Sequence, residues 1–440
     1  MNFNRPVFTS FKFDKLDIQL VLDKIQEHKS FMNRYKRNYN YYKGNHDILY
    51  RTIEDASKPN NRIVENLPEF VTSIRTGYFS GEPIVFTSDD AELELKVQNI
   101  LEYADFQDIN SELDEISAIF GHSFLLLWID EDGQTRFSAE NPFNNFIVYS
   151  NTLDKEPLMG VRYFDYKVDE KDTTDIFVYL PNEMVQYRVS GDKYSIVDRQ
   201  PNYFGQVPMI EFIENNERKG CFEDAISIVD AIESIISSTV NEIEYFDNAY
   251  LHLKNLSSTT NEDIQDMKNN RVILTEDDGE VEFITKNIND TYIQNTLKRL
   301  TDDFHKLTKT PALTDENFGS NTSGVSLKFK LFGLEKSMSK KETKWRKSLQ
   351  KMLELIVARL NMLGGNYDYK DIRLVFTRAL PTNQLEQAQM VSQLAGIVSN
   401  ETLLTQLDFI EKSKEEMARI EKEKQTNFQD YTFDTEEEIE

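Results

Sequence analysis

A seven-residue repeat over residues 222–254 restricts this chain more than any other feature. Phe222, Val229, Ile236, Ile243 and Tyr250 fall on one line, and Ala225, Ile232, Thr239, Phe246 and Leu253 on a second. Apolar residues at that spacing make a narrow seam, which suits a helix lying lengthwise along another helix. The rest of the segment is acidic, with Glu223, Asp224, Asp230, Glu233, Glu242, Glu244 and Asp247 against Lys254. The predicted partner helix spans 290–310, capped by Asn289 or Asp290, with Tyr292, Leu297, Leu300, Phe304 and Leu307 on one face. Between the two, residues 255–289 read as a small head. Thr259 and Glu262 have capping-box spacing for a short helix to Lys268, and 271–275 with 281–285 make a hairpin turning at Glu276-Asp277-Asp278-Gly279. The chain leaves along one helix and returns along another.

After Pro311 comes a polar, glycine-bearing stretch that includes Asn317, Phe318, Gly319, Ser320, Asn321, Thr322, Ser323 and Gly324, set before a helical pattern that runs from 323 to 363. An irregular stretch of this length in a helical region is either functional or disordered, and the functional reading is preferred. The helix behind it carries Lys328, Lys330, Lys336, Lys340, Lys341, Lys344, Arg346, Lys347 and Lys351 against only Glu335 and Glu342. The whole chain has a formal net charge of -26 at pH 7, so its average surface repels nucleic acid. Against that background the basic helix suits a polyanion or the acidic stem of a neighbouring subunit. A solvated face is the plainer alternative.

The fold class is α+β. Residues 14–44 read as one helix whose second half mixes Lys29, Arg34, Lys36, Arg37 and Lys43 with Phe31, Tyr35, Tyr39, Tyr41 and Tyr42. Such a face can stack and pair with nucleic acid, although a half-buried helix is the plainer reading. A helix over 66–78, a strand over 84–87 and helices over 90–103 and 108–120 follow, the last stopped by Gly121. The period then changes to two, giving strands at 124–129, 135–138, 146–149, 158–166, 176–180, 184–189, 194–197 and 209–212. Asp130-Glu131-Asp132-Gly133 fits a hairpin turn and lacks the spacing of a calcium loop. A strand at 372–377 precedes helices at 385–398, 401–407 and 408–424. Residues 430–440, acidic and without a base, are expected to be disordered.

Several chemistries find no support. The single Cys221 excludes an internal disulfide, and five scattered histidines give no zinc spacing. There is no phosphate-cradling glycine-lysine loop, nucleophile elbow, paired-histidine metal motif or dinucleotide fingerprint, so neither cofactor nor metal is expected. The pairs Asp302-Asp303 and Asp277-Asp278 keep a metal-dependent nuclease as an alternative, and a minor capsid protein is a weaker one. No stretch approaches the ~18 apolar residues of a membrane span, and the first residues lack a signal-peptide core. The expectation is a soluble chain made in the cytoplasm, with no membrane partner.

Eight segments carry a family resemblance. They are Y-Y-K-G-N-H-D-I-L from Tyr41, P-N-N-R-I-V-E-N-L-P from Pro59, G-Y-F-S-G-E-P-I from Gly77, G-H-S-F-L-L-L-W-I from Gly121, F-G-Q-V-P-M-I-E-F from Phe204, D-N-A-Y-L-H-L-K-N from Asp247, T-S-G-V-S-L-K-F-K from Thr322 and P-T-N-Q-L-E-Q-A from Pro381. In this order they resemble the portal proteins of tailed bacteriophages, specifically long-tailed phages of Gram-positive hosts. The resemblance implies a homo-oligomeric ring of about twelve subunits at one capsid vertex. Double-stranded DNA would be packaged and ejected through it without sequence specificity and without catalysis by the chain itself. The implied partners are the terminase large subunit, the major capsid and scaffolding proteins and a head-tail adaptor protein. The implied location is the virion, after assembly in the host cytoplasm. The implied parts are an α/β wing (1–221), a stem helix (222–254), a small α/β clip (255–289), a second stem helix (290–310), a tunnel loop (311–324), a long helix with a wing strand (325–380) and a helical crown with the acidic tail (381–440). Residues 317–324 would face DNA as weak partners, because a conduit must pass phosphates without gripping them.

Overall fold

Alternating apolar residues between 122 and 213 fold as strands, and helices from both sides of that stretch pack on them. The structure, a computed structural model, describes residues 5–13, 15–55, 58–191, 193–246, 250–255, 260–270, 279–284, 290–313, 324–378, 384–407, 410, 413 and 416–423. It opens with β1 (Phe8–Ser10), α1 (Ile18–Lys29) and α2 (Met32–Tyr42). The single helix expected over 14–44 is thus two. The Ser30 hydroxyl donates to the Glu27 carbonyl at 2.7 Å, a side-chain bond that competes with the helix ladder and ends α1 there. The new direction of α2 buries Tyr35 and Tyr41 in a cluster with Phe120, Phe222 and Val229.

α3 (Leu67–Ser80), β2 (Val85–Ser88), α4 (Ala91–Tyr103) and α5 (Phe106–Phe120) follow. Asp90 caps α4, accepting from the Glu92 N–H at 2.9 Å and the Leu93 N–H at 3.2 Å. Gly121 stops α5 with φ 90°, and a Cβ at that position would collide with the backbone at Arg218.

The strands are β3 (His122–Ile129), β4 (Thr135–Glu140), β5 (Asn145–Ser150), β6 (Pro157–Val168), β7 (Lys171–Tyr179), β8 (Glu183–Ser190), β9 (Lys193–Pro201) and β10 (Met209–Ile213). At the β3–β4 turn Asp130 accepts from the N–H groups of Asp132 and Gln134, at 3.1 and 2.8 Å, as turn chemistry requires. One sheet has the order β1-β5-β6-β7-β8-β9, with β1 parallel to β5 and the rest antiparallel; the other has the order β10-β3-β4. Phe146, Val148, Met159, Val161, Ile176 and Val178 form a common core with Val21 and Ile25 of α1 and with Phe124, Leu126 and Met209 of the smaller sheet. The three-residue β1 is too short to show a period in the sequence.

α6 (Ile226–Phe246), reached through a short 3-10 turn at Glu223–Ala225, ends earlier than the repeat predicts. Tyr250–Lys254 is instead β11, antiparallel to β12 (Glu280–Ile284), with Lys254 Nζ 2.9 Å from Glu280. The run Tyr-Leu-His-Leu-Lys also alternates with period two, and a partner strand decides between the two readings. Residues 271–275, the expected hairpin partner, lie outside the described residues. α7 (Asn261–Asn270) does have a reciprocal cap, built on Thr260 and Asp263 one position beyond the expected pair.

α8 (Asp290–Thr308), α9 (Gly324–Met362) and β13 (Ile372–Val375), antiparallel to β2, complete this compact unit, to which residues 324–327 of α9 do not belong. A second unit comprises residues 321–327 and 379–440; within it, α10 (Gln384–Leu394) and α11 (Asn400–Leu404) are described, with helical residues at 416–423. The helix expected over 385–398 stops at Leu394, before Gly396 at φ 84°. The acidic tail lies outside the described residues.

Candidate functional site

α6 and α8 pack along one another as the seam predicts. Phe222, Ala225, Val229 and Ile232 are buried, Ile236 and Thr239 are half-buried, and Ile243 is exposed. On α8, Phe304 is buried and Leu297 and Leu300 are half-buried, whereas Tyr292 and Leu307 turn to solvent, off the face where the sequence placed them. The pair therefore closes tightly at the Phe222 end and stays open at the other.

Three of the acids read as surface for this segment are engaged within the chain, whereas Asp224 and Glu244 are exposed. Glu223 accepts from Arg34 at 2.7 and 3.0 Å, Asp230 accepts from Arg37 and from the Tyr41 hydroxyl, and Glu233 is fully buried against His46. His46 Nδ1 is hydrogen-bonded to Glu233 and Nε2 to the Tyr41 carbonyl, 2.7 Å away, so both ring nitrogens are engaged. Burial pulls the His46 pKa down, but the Glu233 carboxylate outweighs it and the net shift is upward. Arg34 and Arg37, part of the basic aromatic face of α2, are thus turned to Glu223, just before α6, and to Asp230 within it.

Buried charge ties the end of α8 to α9. α8 closes on Lys309 in the left-handed region, φ 56°, with the Thr310 N–H donating to the His305 carbonyl at 3.2 Å. Arg75, buried on α3, donates through Nη1 to the Thr308 carbonyl at 2.9 Å and through Nη2 to Glu214 at 2.8 Å and to Ser337 Oγ on α9 at 3.2 Å. Lys341, one turn further along α9, is paired with both Glu214 and Asp114 of α5. Two cations and two carboxylates thus balance in the interior. Burial pushes the Glu214 carboxyl up, but Lys341 and Arg75 outweigh it and hold it down at about 2. Burial raises Asp114 against the same lysine, and it lowers Lys341 less than the two carboxylates raise it.

Beyond this cluster, Trp345 Nε1 donates to Asn110 at 3.0 Å, and the rings of Phe79 and Phe212 pack on the indole with centroids at 5.5 and 4.7 Å. The row Leu334, Met338, Lys341, Trp345, Leu349, Met352 and Ile356 is buried throughout, keying α9 into the sheet-bearing unit.

Of the residues expected to face a partner, Asn317, Phe318, Gly319, Ser320, Asn321, Thr322 and Ser323 lie outside the described residues, and Gly324 is the first residue of α9. Lys328 stands in α9 with its side chain outside the described set; Lys330, Lys336 and Lys340 are exposed, and Lys344 is half-buried. Lys341 belongs to the interior and not to the basic surface. Arg346 is also engaged, donating to the Leu374 carbonyl at 2.7 Å and pairing with Glu342, and Lys351 pairs with Glu354 at 2.9 Å. The sequence reading missed Arg75, Asp114 and Glu214. Its one signal was Lys341 itself, a lysine on an otherwise apolar helical row. Among the described residues no three His, Cys, Asp or Glu side chains stand close enough to hold a metal ion, and Asp303 lies 3.9 Å from Arg299.

The profile of the family described as phage portal protein, SPP1 Gp6-like, matches residues 22–430. The chain belongs to this family. It is 26% identical to the portal protein of Bacillus phage SPP1 over 410 residues, covering 88% of this chain and 80% of that protein. It is also 26% identical to the portal protein of Clostridium phage phiCD119 over 397 residues, covering 83% and 86%. A solved chain from the neck of a native gene transfer agent particle superposes with a TM-score of 0.44 at 12% identity, covering 78% of this chain and 89% of that one. The portal family is structural, and this member is a phage portal protein of the virion. No described helix is long and apolar enough to cross a membrane.

Proposed function

We propose that the chain closes into a ring of about twelve copies around a passage for double-stranded DNA. One observation carries the ring. Ile243, a seam position of α6, is exposed where the α6–α8 pair stays open, and a second copy of the same chain supplies the missing face. In this reading α6 and α8 are the stem, 247–289 the clip, 311–323 the tunnel loop, 381–440 the crown, and the sheets with α1–α5 and α9 the wing. The clip takes the terminase large subunit during packaging and a head-tail adaptor afterwards, and the wing meets the scaffolding and major capsid proteins. The chain itself performs no catalysis. The loop residues Asn317, Ser320, Asn321, Thr322 and Ser323 touch the DNA backbone weakly and independently of sequence, which lets the duplex slide. Lys336, Lys340 and Lys344 supply the sparse positive charge behind the loop.

The test is deletion of residues 317–322 in a packaging system. Rings still assemble and DNA-filled heads are lost. Full heads at normal titre from the deletion overturn this role for the loop.

A further inference from the structure

We infer that residues 61–65 are a clamp that fixes the lengthwise register of α6. This stretch, within P-N-N-R-I-V-E-N-L-P, forms no helix or strand of its own and runs along α6. Alternate residues turn their backbone N–H groups to side chains on that helix. The Glu65 N–H donates to Glu233 at 2.9 Å, the Ile63 N–H to Ser237 Oγ at 3.0 Å and the Asn61 N–H to Asn241 Oδ1 at 2.7 Å. The Asn61 side-chain amide adds bonds to Asn241 at 3.0 Å and to Glu244 at 2.6 Å. Two residues of extended chain advance about 6.6 Å and four helical residues about 6.0 Å, so the two rows stay in step from Glu233 to Asn241. The next positions in the row are Val229 and Tyr245. A slip of one rung sets a backbone N–H opposite one of these, neither of which carries an oxygen near its backbone, and strands one acceptor. Glu233 and Ser237 are fully buried, where an unmet polar group is costly. The seam with α8 holds α6 sideways but sets its register less sharply. Its contacts are apolar and non-directional, and they thin out from Ile236 and Thr239, half-buried, to Ile243, exposed.

The test uses the full chain with Cys221→Ser and spin labels at Leu95→Cys on α4 and Ile243→Cys on α6. Labelled chain is diluted by unlabelled chain, so that only distances within one copy are read. Both labelled positions are exposed. With the ladder intact the interspin distance distribution is a single narrow peak. In Ser237→Ala with Asn241→Leu it broadens or splits by up to one helical turn, about 5.4 Å. Amides in a peptide covering 59–66 then exchange roughly tenfold faster. Asn241→Asp, which keeps the acceptor for Asn61, stays narrow. So does Ile236→Ala, which weakens the seam and leaves the ladder whole.

A narrow, unshifted distribution in the double variant overturns the inference. So does equal broadening in Ile236→Ala, because register would then depend on packing in general. If the double variant does not fold, Asn241→Leu alone, at a half-buried position, decides by the same two outcomes. The clamp itself does not rest on the ring reading, whereas its consequence does: in a ring it holds every copy of α6 at the same height. Closed rings are counted separately by native mass spectrometry, and fewer form in the double variant. A broadened distribution with a normal count of rings overturns the part in ring closure and leaves the clamp standing.

Discussion

Lys341→Met isolates the energetic centre of the fold. Methionine is close to lysine in length and fills the same space beside Phe79 and Trp345, so packing changes little and charge changes by one. Asp114 and Glu214 are then left with Arg75 alone, and breaking a buried pair in this way costs about 3–5 kcal/mol. Protonation sets a ceiling on that cost. A carboxyl of ordinary pKa ~4.3 can be neutralised at pH 7 for about 1.36 kcal/mol per pH unit, or roughly 4 kcal/mol, and for roughly 1 kcal/mol at pH 5. The expected loss is therefore ~3–4 kcal/mol at pH 7, shrinking to ~1–2 kcal/mol at pH 5.

The wild-type reference runs in opposite senses. The Glu214 value of about 2 lies below its ordinary 4.5, so its contribution is fully present above 4.5 and is lost only as pH falls from there toward 2. Asp114, raised by burial, gains stability as pH falls through its folded value. Urea unfolding at fixed protein concentration, at both pH values, reads the difference. The double variant Asp114→Asn with Lys341→Met recovers most of the loss. A loss below ~1 kcal/mol at pH 7, or one that does not shrink at pH 5, refutes the buried-charge account.

Two further predictions concern His46 and the lysines of α9. His46, raised above its ordinary 6.5 by Glu233, contributes stability that is present below 6.5 and lost as pH rises through its folded value, so the gap in thermal midpoint between wild type and His46→Gln is larger at pH 6 than at pH 9. An equal gap at both pH values contradicts the pairing. Lys340→Glu with Lys344→Glu lowers either ring yield or DNA retained in heads, measured by native mass spectrometry and by particle density. Whichever falls shows whether the lysines meet a neighbouring subunit or a polyanion, and no change in either makes them a solvated face.

Much of this fold was legible because its elements are long and strongly periodic. The extents of α8 and α9 and the alternation from β3 to β10 followed from spacing alone, and Gly121 marked the end of α5 by its conformational freedom. What was not legible depended on partners far along the chain. Tyr250–Lys254 fits a heptad and a strand equally well, and only Glu280–Ile284 opposite decides. Glu233 read as surface acid because nothing local reveals His46 against it. The basic helix looked stronger than it is because Lys341, Arg346 and Lys351 find acceptors on other segments or one turn away. Arg75, Asp114 and Glu214 are spread over 140 residues of sequence and meet only when α3, α5 and the residue after β10 converge on α9.

The ring is tested most directly by class-averaged end-on images of the purified protein at micromolar concentration. A closed ring of about twelve copies with an open central channel is the expected result. Particles that are only monomers and dimers, with no channel in any class, contradict it.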